Sequence, residues 1–233
     1  MRLAIFFFLL LLGLESSSSA ASDISGKVFF DGAAPESVKL DMKMDPACAK
    51  LYSGPVFSEE ALVSSAGGLK NVFVYVKEGL EGRSFPAAET PVVLNQEGCR
   101  YSPRVFGIQT GQILELTNRD ATIHNVRATA KEQNSFNLGM PMKQMKMTRQ
   151  FEKQEVMVPF KCDVHPWMRA YAGVLDHPFF AVTDESGAFT LRGLPAGDYT
   201  LEAWHEKFGT RPLKVTVTEG AETPAAEFRF SAS

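Results

Sequence analysis

The chain has 233 residues, 45% hydrophobic and 22% charged, which is enough for one large or two small globular domains. This composition excludes a disordered or collagen-like chain. The 24 Lys and Arg against 27 Asp and Glu give a net charge of −3, so no global positive field attracts nucleic acid. Four His and three Cys are too few for a multi-copper cluster or a multi-disulfide scaffold.

Residues 1–21 have the pattern of a secretory signal peptide. Arg2 precedes an apolar run at 3–14, and the polar stretch at 15–19 leads to Ala20-Ala21. The 12-residue run is too short to span a bilayer, which takes about 20 residues. We therefore expect cleavage near Ala21, no membrane span in the mature chain, and a periplasmic or secreted protein whose disulfides persist.

Beyond Ser22 the hydrophobic pattern has a period of two, which predicts an all-β chain. The run at 71–76 (NVFVYV) indicates a strand buried on both faces. Residues 189–217 contain three alternating segments separated by Gly and Pro, and Phe228 and Phe230 indicate a last short strand. The one helical pattern is short, at residues 59–62.

Four segments follow from this pattern. They are a signal peptide at 1–21, an N-terminal β region at 22–90, a segment with all metal-suited residues at 91–178, and a set of short strands at 179–233. Residues 22–90 hold an opening strand at 24–30, loops and the apolar strand at 71–76. The pattern alone does not assign them to either of the two units that follow.

The sequence Cys162-Asp-Val-His165-Pro-Trp-Met168 places a thiolate, an imidazole and a thioether on one short loop between two strand-like segments. His124 lies at the end of a further predicted strand. Two nitrogens, one thiolate and a weak axial sulfur are the ligands of a trigonal copper electron-transfer site. Copper is favoured over zinc because Met is a poor zinc ligand, and over haem because the Cys-x-x-Cys-His pattern is missing.

This loop, with residues 101–125, resembles the cupredoxin (blue copper) family, and the loop is similar to that of amicyanin. The resemblance implies a Greek-key β-sandwich that binds one copper ion through His124, Cys162, His165 and the weak axial Met168. It also implies that Asn125 braces the ligand strands and hydrogen-bonds toward the Cys162 sulfur.

Residues 182–189 and 194–199 resemble the carboxypeptidase regulatory-like, transthyretin-like β-sandwich, whose usual opening strand is similar to residues 24–30. The resemblance implies a second, smaller antiparallel sandwich and says little about function. The cupredoxin segment is then either an insertion in that sandwich or a separate unit before it.

The remaining Cys and His have simpler interpretations. Once Cys162 binds metal, Cys48 and Cys99 are the only pair left, and we expect them to form a disulfide. His177 and His205 have no ligand set beside them and are interpreted as structural. The methionines of segment 140–147 are either a soft Cu(I) site or an apolar flap, and the flap is favoured.

These observations favour an electron carrier rather than an enzyme. We expect electrons to pass through His165 at the protein surface, with Pro166 and Trp167 as an apolar docking rim. The expected partners are redox proteins, such as a periplasmic dehydrogenase or a cytochrome c. A copper carrier or sensor with the same ligands and segment 140–147 is the alternative. A nitrite reductase or multicopper oxidase would need more histidines.

Overall fold

A computed structural model of the chain describes residues 21–219 and 224–232. The described chain is all-β, as predicted. Its strands are β1 (Ser22–Asp31), β2 (Phe73–Glu78), β3 (Val92–Gln96), β4 (Tyr101–Ser102), β5 (Val105–Gln109), β6 (Leu114–Asn118), β7 (His124–Ala128), β8 (Phe136–Met140), β9 (Met145–Arg149), β10 (Glu155–Lys161), β11 (Arg169–Leu175), β12 (Phe180–Val182), β13 (Ala188–Leu194), β14 (Gly197–His205), β15 (Gly209–Val217) and β16 (Ala226–Ser231). A 3-10 turn (Met42–Met44) and the helix α1 (Pro46–Ala49) precede β2.

The first sandwich contains the strands from β3 to β11. One sheet has the order β5-β11-β10-β7-β8 and the other β4-β3-β6-β9, and the two enclose one hydrophobic core. The loop that carries Cys162 and His165 joins β10 to β11, while His124 opens the neighbouring strand β7. Strand pairing therefore brings the predicted ligands to the same end of one sheet.

The strands of the second sandwich come from residues before and after those that form the first sandwich. One sheet has the order β13-β1-β16 and the other β12-β2-β14-β15. β1 pairs antiparallel with β13 and parallel with β16, and β2 lies between β12 and β14. The strands of segment 22–90 are thus hydrogen-bonded to strands of segment 179–233. The boundaries of the four segments themselves stay predictions.

A third apolar cluster joins the two sandwiches. Val74 and Val76 of β2 face the core of the second sandwich, whereas Phe73 and Tyr75 pack toward Val105 and Leu175 of the first. This two-sided packing explains why the sequence of β2 is a continuous apolar run rather than an alternating one.

The structure differs from two of the predictions about local structure. Residues 59–62 are not helical; the helical turns lie at 42–49 instead, where the side chains of Asp41 and Asp45 cap them. Segment 140–147 is not a flexible flap, because it connects and partly forms β8 and β9, which pair with β7 and β6.

The signal peptide prediction falls almost wholly on residues outside the described part. No helix among the described residues is long and apolar enough to cross a membrane.

Candidate metal centre

The loop between β10 and β11 is closed by its own backbone. The N–H of Cys162 donates to the carbonyl of Met168 at 3.2 Å, and the N–H of Met168 donates to the carbonyl of His165 at 2.9 Å. The N–H of His165 points at Cys162 Sγ, 3.4 Å away. In the loop closed in this way, the thiol and the imidazole lie side by side, with Nδ1 of His165 3.9 Å from Cys162 Sγ.

His124 completes this arrangement from β7. Its Nδ1 atom lies 2.9 Å from Nδ1 of His165, and Nδ1 of His165 lies 3.9 Å from Cys162 Sγ. The ligand atoms of the three residues all fall within 4.8 Å of one another, and all three side chains are buried. The structure thus brings together the three strong ligands that the sequence predicted.

The three donor atoms lie close enough together to share one metal ion. Metal bonds of about 2.0 Å to nitrogen and about 2.3 Å to thiolate, as zinc forms them, set the two nitrogens about 3.5 Å apart and each about 3.7 Å from sulfur. The separation of 3.9 Å between Nδ1 of His165 and Cys162 Sγ is close to this value, whereas the separation of 2.9 Å between the two Nδ1 atoms is shorter. Two Nδ1 atoms that face each other at 2.9 Å also need a shared proton or a metal ion between them, because two bare lone pairs would repel. The residues present therefore fit a copper ion.

Each histidine ring forms a hydrogen bond with a carboxylate through its Nε2 atom. Nε2 of His124 lies 2.9 Å from Oδ2 of Asp120, and Nε2 of His165 lies 2.9 Å from Oδ2 of Asp45. A carboxylate that accepts from Nε2 leaves Nδ1 free to bind a metal and makes the imidazole a stronger donor. In both rings Nδ1 is therefore directed into the site.

The ionisation of the site follows from these contacts. Burial opposes charge on His124, yet its hydrogen bonds to Asp120 and Cys162 outweigh burial and raise its pKa. Burial also opposes the Cys162 thiolate, but the hydrogen bond from His124 and backbone N–H groups, including that of Asn125, lower its pKa. The hydrogen bond from His165 lowers the pKa of Asp45. The pKa of Cys162 is thus shifted in the direction of the thiolate, the form that binds metals.

Asn125 braces the two ligand segments. Its Oδ1 atom accepts from the N–H of Asp163 at 2.7 Å and lies 3.3 Å from Cys162 Sγ, while its Nδ2 donates to Asp163 and Asn137. Its backbone carbonyl accepts from the hydroxyl of Tyr101. The side chain thus lies between β7 and the ligand loop, beside the sulfur, where the resemblance to cupredoxins implied it would be.

Met168 is only 1% exposed and lies in the same hydrophobic core as Cys162. Its backbone closes the ligand loop, as described above. The assignment of its thioether as the weak axial ligand stays a prediction.

The expected exposure of His165 is wrong. The imidazole is 1% exposed, because residues 41–50, here called the covering segment, lie over it and place Asp45 and Cys48 against Nε2. Pro166 is exposed and Trp167 is half-buried, with its indole N–H donating to the carbonyl of Cys99 at 2.9 Å. The loop reaches the surface at Val164 and Pro166 rather than at the histidine.

The predicted disulfide is present. Cys48 and Cys99 are joined by a bond of 2.02 Å across a sequence separation of 51 residues, and Cys162 is the free cysteine of the described chain. The bond ties the covering segment to the turn after β3, directly beside the metal centre. His177 and His205 lie elsewhere and accept hydrogen bonds from the backbone N–H groups of Phe179 and Lys207.

Sequence reasoning missed two residues of the site, Asp45 and Asp120. Asp120 could have been found from its position four residues before His124. Asp45 gives a local signal only for a helix cap before Pro46, since its contact with His165 spans 120 residues of sequence.

Comparison with known proteins assigns part of the chain. Residues 175–231 match the family model of the carboxypeptidase regulatory-like domain, which covers β12 to β16. No characterised protein sequence matches the chain.

Solved structures similar to part of the chain include cupredoxins and a copper-containing nitrite reductase. The purple cupredoxin from Nitrosopumilus maritimus shares 20% identity over 36% of this chain and 98% of its own, with a TM-score of 0.31. A Cu(I) form of an amicyanin variant shares 23% identity over 43% of this chain and 97% of its own, with a TM-score of 0.32. The copper-containing nitrite reductase from Thermus scotoductus SA-01 shares 17% identity and a TM-score of 0.35; the match covers 41% of this chain but 26% of the reductase.

Proposed function

We propose that the chain is a periplasmic or secreted type 1 copper protein that carries single electrons between redox partners. His124, Cys162 and His165 are the strong ligands of one copper ion, and Met168 is its weak axial ligand. The observation that carries the proposal is the convergence of two Nδ1 atoms and one Sγ atom within 4.8 Å in a buried site.

When bound, copper supplies a one-electron couple between Cu(I) and Cu(II). The chain's own residues position the ligands and exclude water. Asn125 and the backbone hold the Cys162 sulfur, and Asp120 orients His124. The apolar core around Cys162 excludes water from the ligands. Such a buried, preset ligand arrangement suits electron transfer because little has to move when the charge changes. The proposal assigns no enzymatic activity.

The face that partners would approach includes Val164 and Pro166, which flank the buried His165 in the sequence, and Trp167, whose ring lies 5.1 Å from that of His165. Val164 is 45% exposed. We propose that electrons cross there, through His165, to and from a redox protein such as a periplasmic dehydrogenase or a cytochrome c.

The copper-carrier alternative depends on the thioethers of segment 140–147. Met140 is buried and accepts a hydrogen bond from Nε2 of Gln96, and Met145 and Met147 pack on the core of the first sandwich. Met142 alone is well exposed among the four, at 64%. Thioethers engaged in packing are poorly placed to receive and release Cu(I), which supports the electron carrier.

The test is the visible spectrum of the mature chain loaded with one equivalent of Cu(II). A short copper–thiolate bond gives an intense charge-transfer band, so the protein is expected to be blue or purple. Cys162→Ala should abolish the colour, and Met142→Leu, the matched control, should keep it. A wild-type protein that binds copper without this band, or binds none, would overturn the proposal.

A further inference from the structure

The covering segment forms a cluster around His165 that the proposed function does not use. Oδ2 of Asp45 lies 2.9 Å from Nε2 of the ring and 3.2 Å from Oγ1 of Thr122, and the other oxygen of Asp45 accepts from the N–H of Ala47 at 2.7 Å. The Asp45 side chain is 22% exposed. A single carboxylate therefore starts α1 and holds the imidazole at the same time.

The disulfide places this carboxylate. Cys48 follows Asp45 by one helical turn, and its Sγ atom lies 3.5 Å from Nε2 of His165. Its partner Cys99 donates its backbone N–H to Asp120, the residue that holds His124. Both cysteines are fully buried. The disulfide thus joins the helix that Asp45 caps to the residue whose N–H binds Asp120.

We propose that Asp45 is a positioning residue for His165 and that the Cys48–Cys99 disulfide fixes it there, so that the ring is oriented for metal binding before the metal arrives. The inference rests on the proposed function for the identity of the metal, but it concerns residues that are arranged without it.

The physical argument is one of preorganisation. An imidazole on a short loop can rotate about two bonds, and each orientation that turns Nδ1 away from Cys162 must be given up when a metal binds. The hydrogen bond from Nε2 to Asp45 removes those orientations in advance. Loss of such a carboxylate behind a metal-binding histidine commonly costs about 10–100-fold in metal affinity.

The first experiment uses the metal-free protein. NMR of the histidine rings should show a proton on Nε2 of His165 that exchanges slowly with water, because Asp45 and the covering segment shield it. Asp45→Ser should lose this signal, since serine caps a helix well but its side chain is too short to reach the ring. Asp41→Ser is the matched control, because Asp41 caps the preceding turn without contacting a histidine. Asp45→Asn should restore part of the signal, since its side-chain oxygen still accepts.

The second experiment measures competition for Cu(I) between the protein and a chelator. Asp45→Ser and the double variant Cys48→Ser/Cys99→Ser should each bind Cu(I) about 10–100-fold more weakly than the wild type. Asp41→Ser should bind like the wild type. Thermal unfolding of each variant checks that it is folded at the temperature of the measurement.

The outcomes separate this inference from the proposed function. If Asp45→Ser keeps both the slow Nε2 proton and the wild-type affinity, Asp45 does not position the ring and the inference is wrong. If the wild type shows the slow proton and Asp45→Ser loses it, but neither binds copper, the positioning role stands and the copper function fails.

Discussion

The ring of Phe73 fills the space that a side chain at position 173 would occupy. A Cβ atom on Gly173 would lie 2.2 Å from the ring, and a Cβ on its register partner Gly107 would lie 2.2 Å from the ring of Phe180. Two aromatic side chains of the second sandwich therefore insert over two paired glycines of the first. This packing fixes how the first sandwich is attached to the rest of the chain.

Gly173→Ala should destabilise the protein by about 1–3 kcal/mol, because the added Cβ would displace the fully buried ring of Phe73. Gly139→Ala is the matched control, since it also lies in a strand but has no atom within 4 Å of the added Cβ. Urea unfolding followed by tryptophan fluorescence measures both. Equal effects of the two substitutions would contradict the packing described above.

The buried ion pair between Arg104 and Glu206 gives a second prediction. The guanidinium donates to both carboxylate oxygens, and the two side chains are 8% and 6% exposed. Glu206→Gln should cost about 3–5 kcal/mol, because it leaves a buried cation without its counter-charge. Glu97→Gln breaks an exposed pair with Arg119 and should cost less than about 1 kcal/mol. A loss of stability in Glu206→Gln no larger than that in Glu97→Gln would show that water solvates the unpaired guanidinium of Arg104.

The axial role of Met168 can be tested through the reduction potential. Met168→Leu should still bind copper but raise the potential, since loss of a weak electron donor disfavours Cu(II) relative to Cu(I). Protein-film voltammetry measures the shift, with Met142→Leu as the control on the exposed face of the same sandwich. An unchanged potential and spectrum would mean that Met168 only fills the core.

The disulfide should contribute to stability as well as to the metal centre. Closing a loop across 51 residues is worth about 4 kcal/mol in the chain-entropy model. The metal-free variant Cys48→Ser/Cys99→Ser should show that loss in chemical unfolding. Alkylation of the unfolded, unreduced wild type should modify Cys162 alone, and modification of all three cysteines would disprove the bond.

His205 should make stability depend on pH. Burial, followed by the positive charges of Arg104 and Lys207, lowers its pKa to about 4, and its Nε2 atom has no hydrogen-bond partner. In the unfolded chain a histidine titrates near 6.5. The unfolded state therefore binds more protons between about pH 6.5 and 4. Protonation of His205 therefore does not lower the free energy of unfolding above pH 6.5, but it lowers it by about 3 kcal/mol as the pH drops to 4.

The measurement is the free energy of unfolding of metal-free protein between pH 7 and 4.5. His205→Phe keeps a ring against Phe208 and Phe230 and should flatten the slope, although His177, whose pKa burial also lowers, leaves some of it. A variant with the full wild-type slope would show that His205 is protonated inside the folded protein.

Local patterns in the sequence predicted the strands and part of the ligand set. Alternation identifies β13 to β16, and Cys162, His165 and Met168 are only a few residues apart, so their proximity needs no knowledge of the fold. His124 lies 41 residues before His165 and was included because it too lies at a predicted strand end. The pairing of Cys48 with Cys99 followed from counting, because only one other cysteine exists.

Contacts between distant segments were beyond such reasoning. The burial of His165 depends on residues 41–50, which follow no pattern that indicates where they pack. A short ligand loop favoured an exposed ring, and only the tertiary fold shows that Asp45 covers it. The insertion of Phe73 over Gly173 is equally invisible, since a glycine in a strand can mean a bulge, a bend or a close neighbour.

The parallel pairing of β1 with β16 has a consequence for the order in which the chain is completed. Lys27 aligns with Glu227, whereas the strands from β3 to β11 find all their sheet partners among themselves. A chain synthesised from its N-terminus can therefore close the first sandwich while β1 still has both edges unpaired. An unpaired strand is a site for aggregation until it is covered. Both sheet partners of β1, the strands β13 and β16, are synthesised after the first sandwich. Until then, protection of β1 against aggregation must come from outside its own sheet.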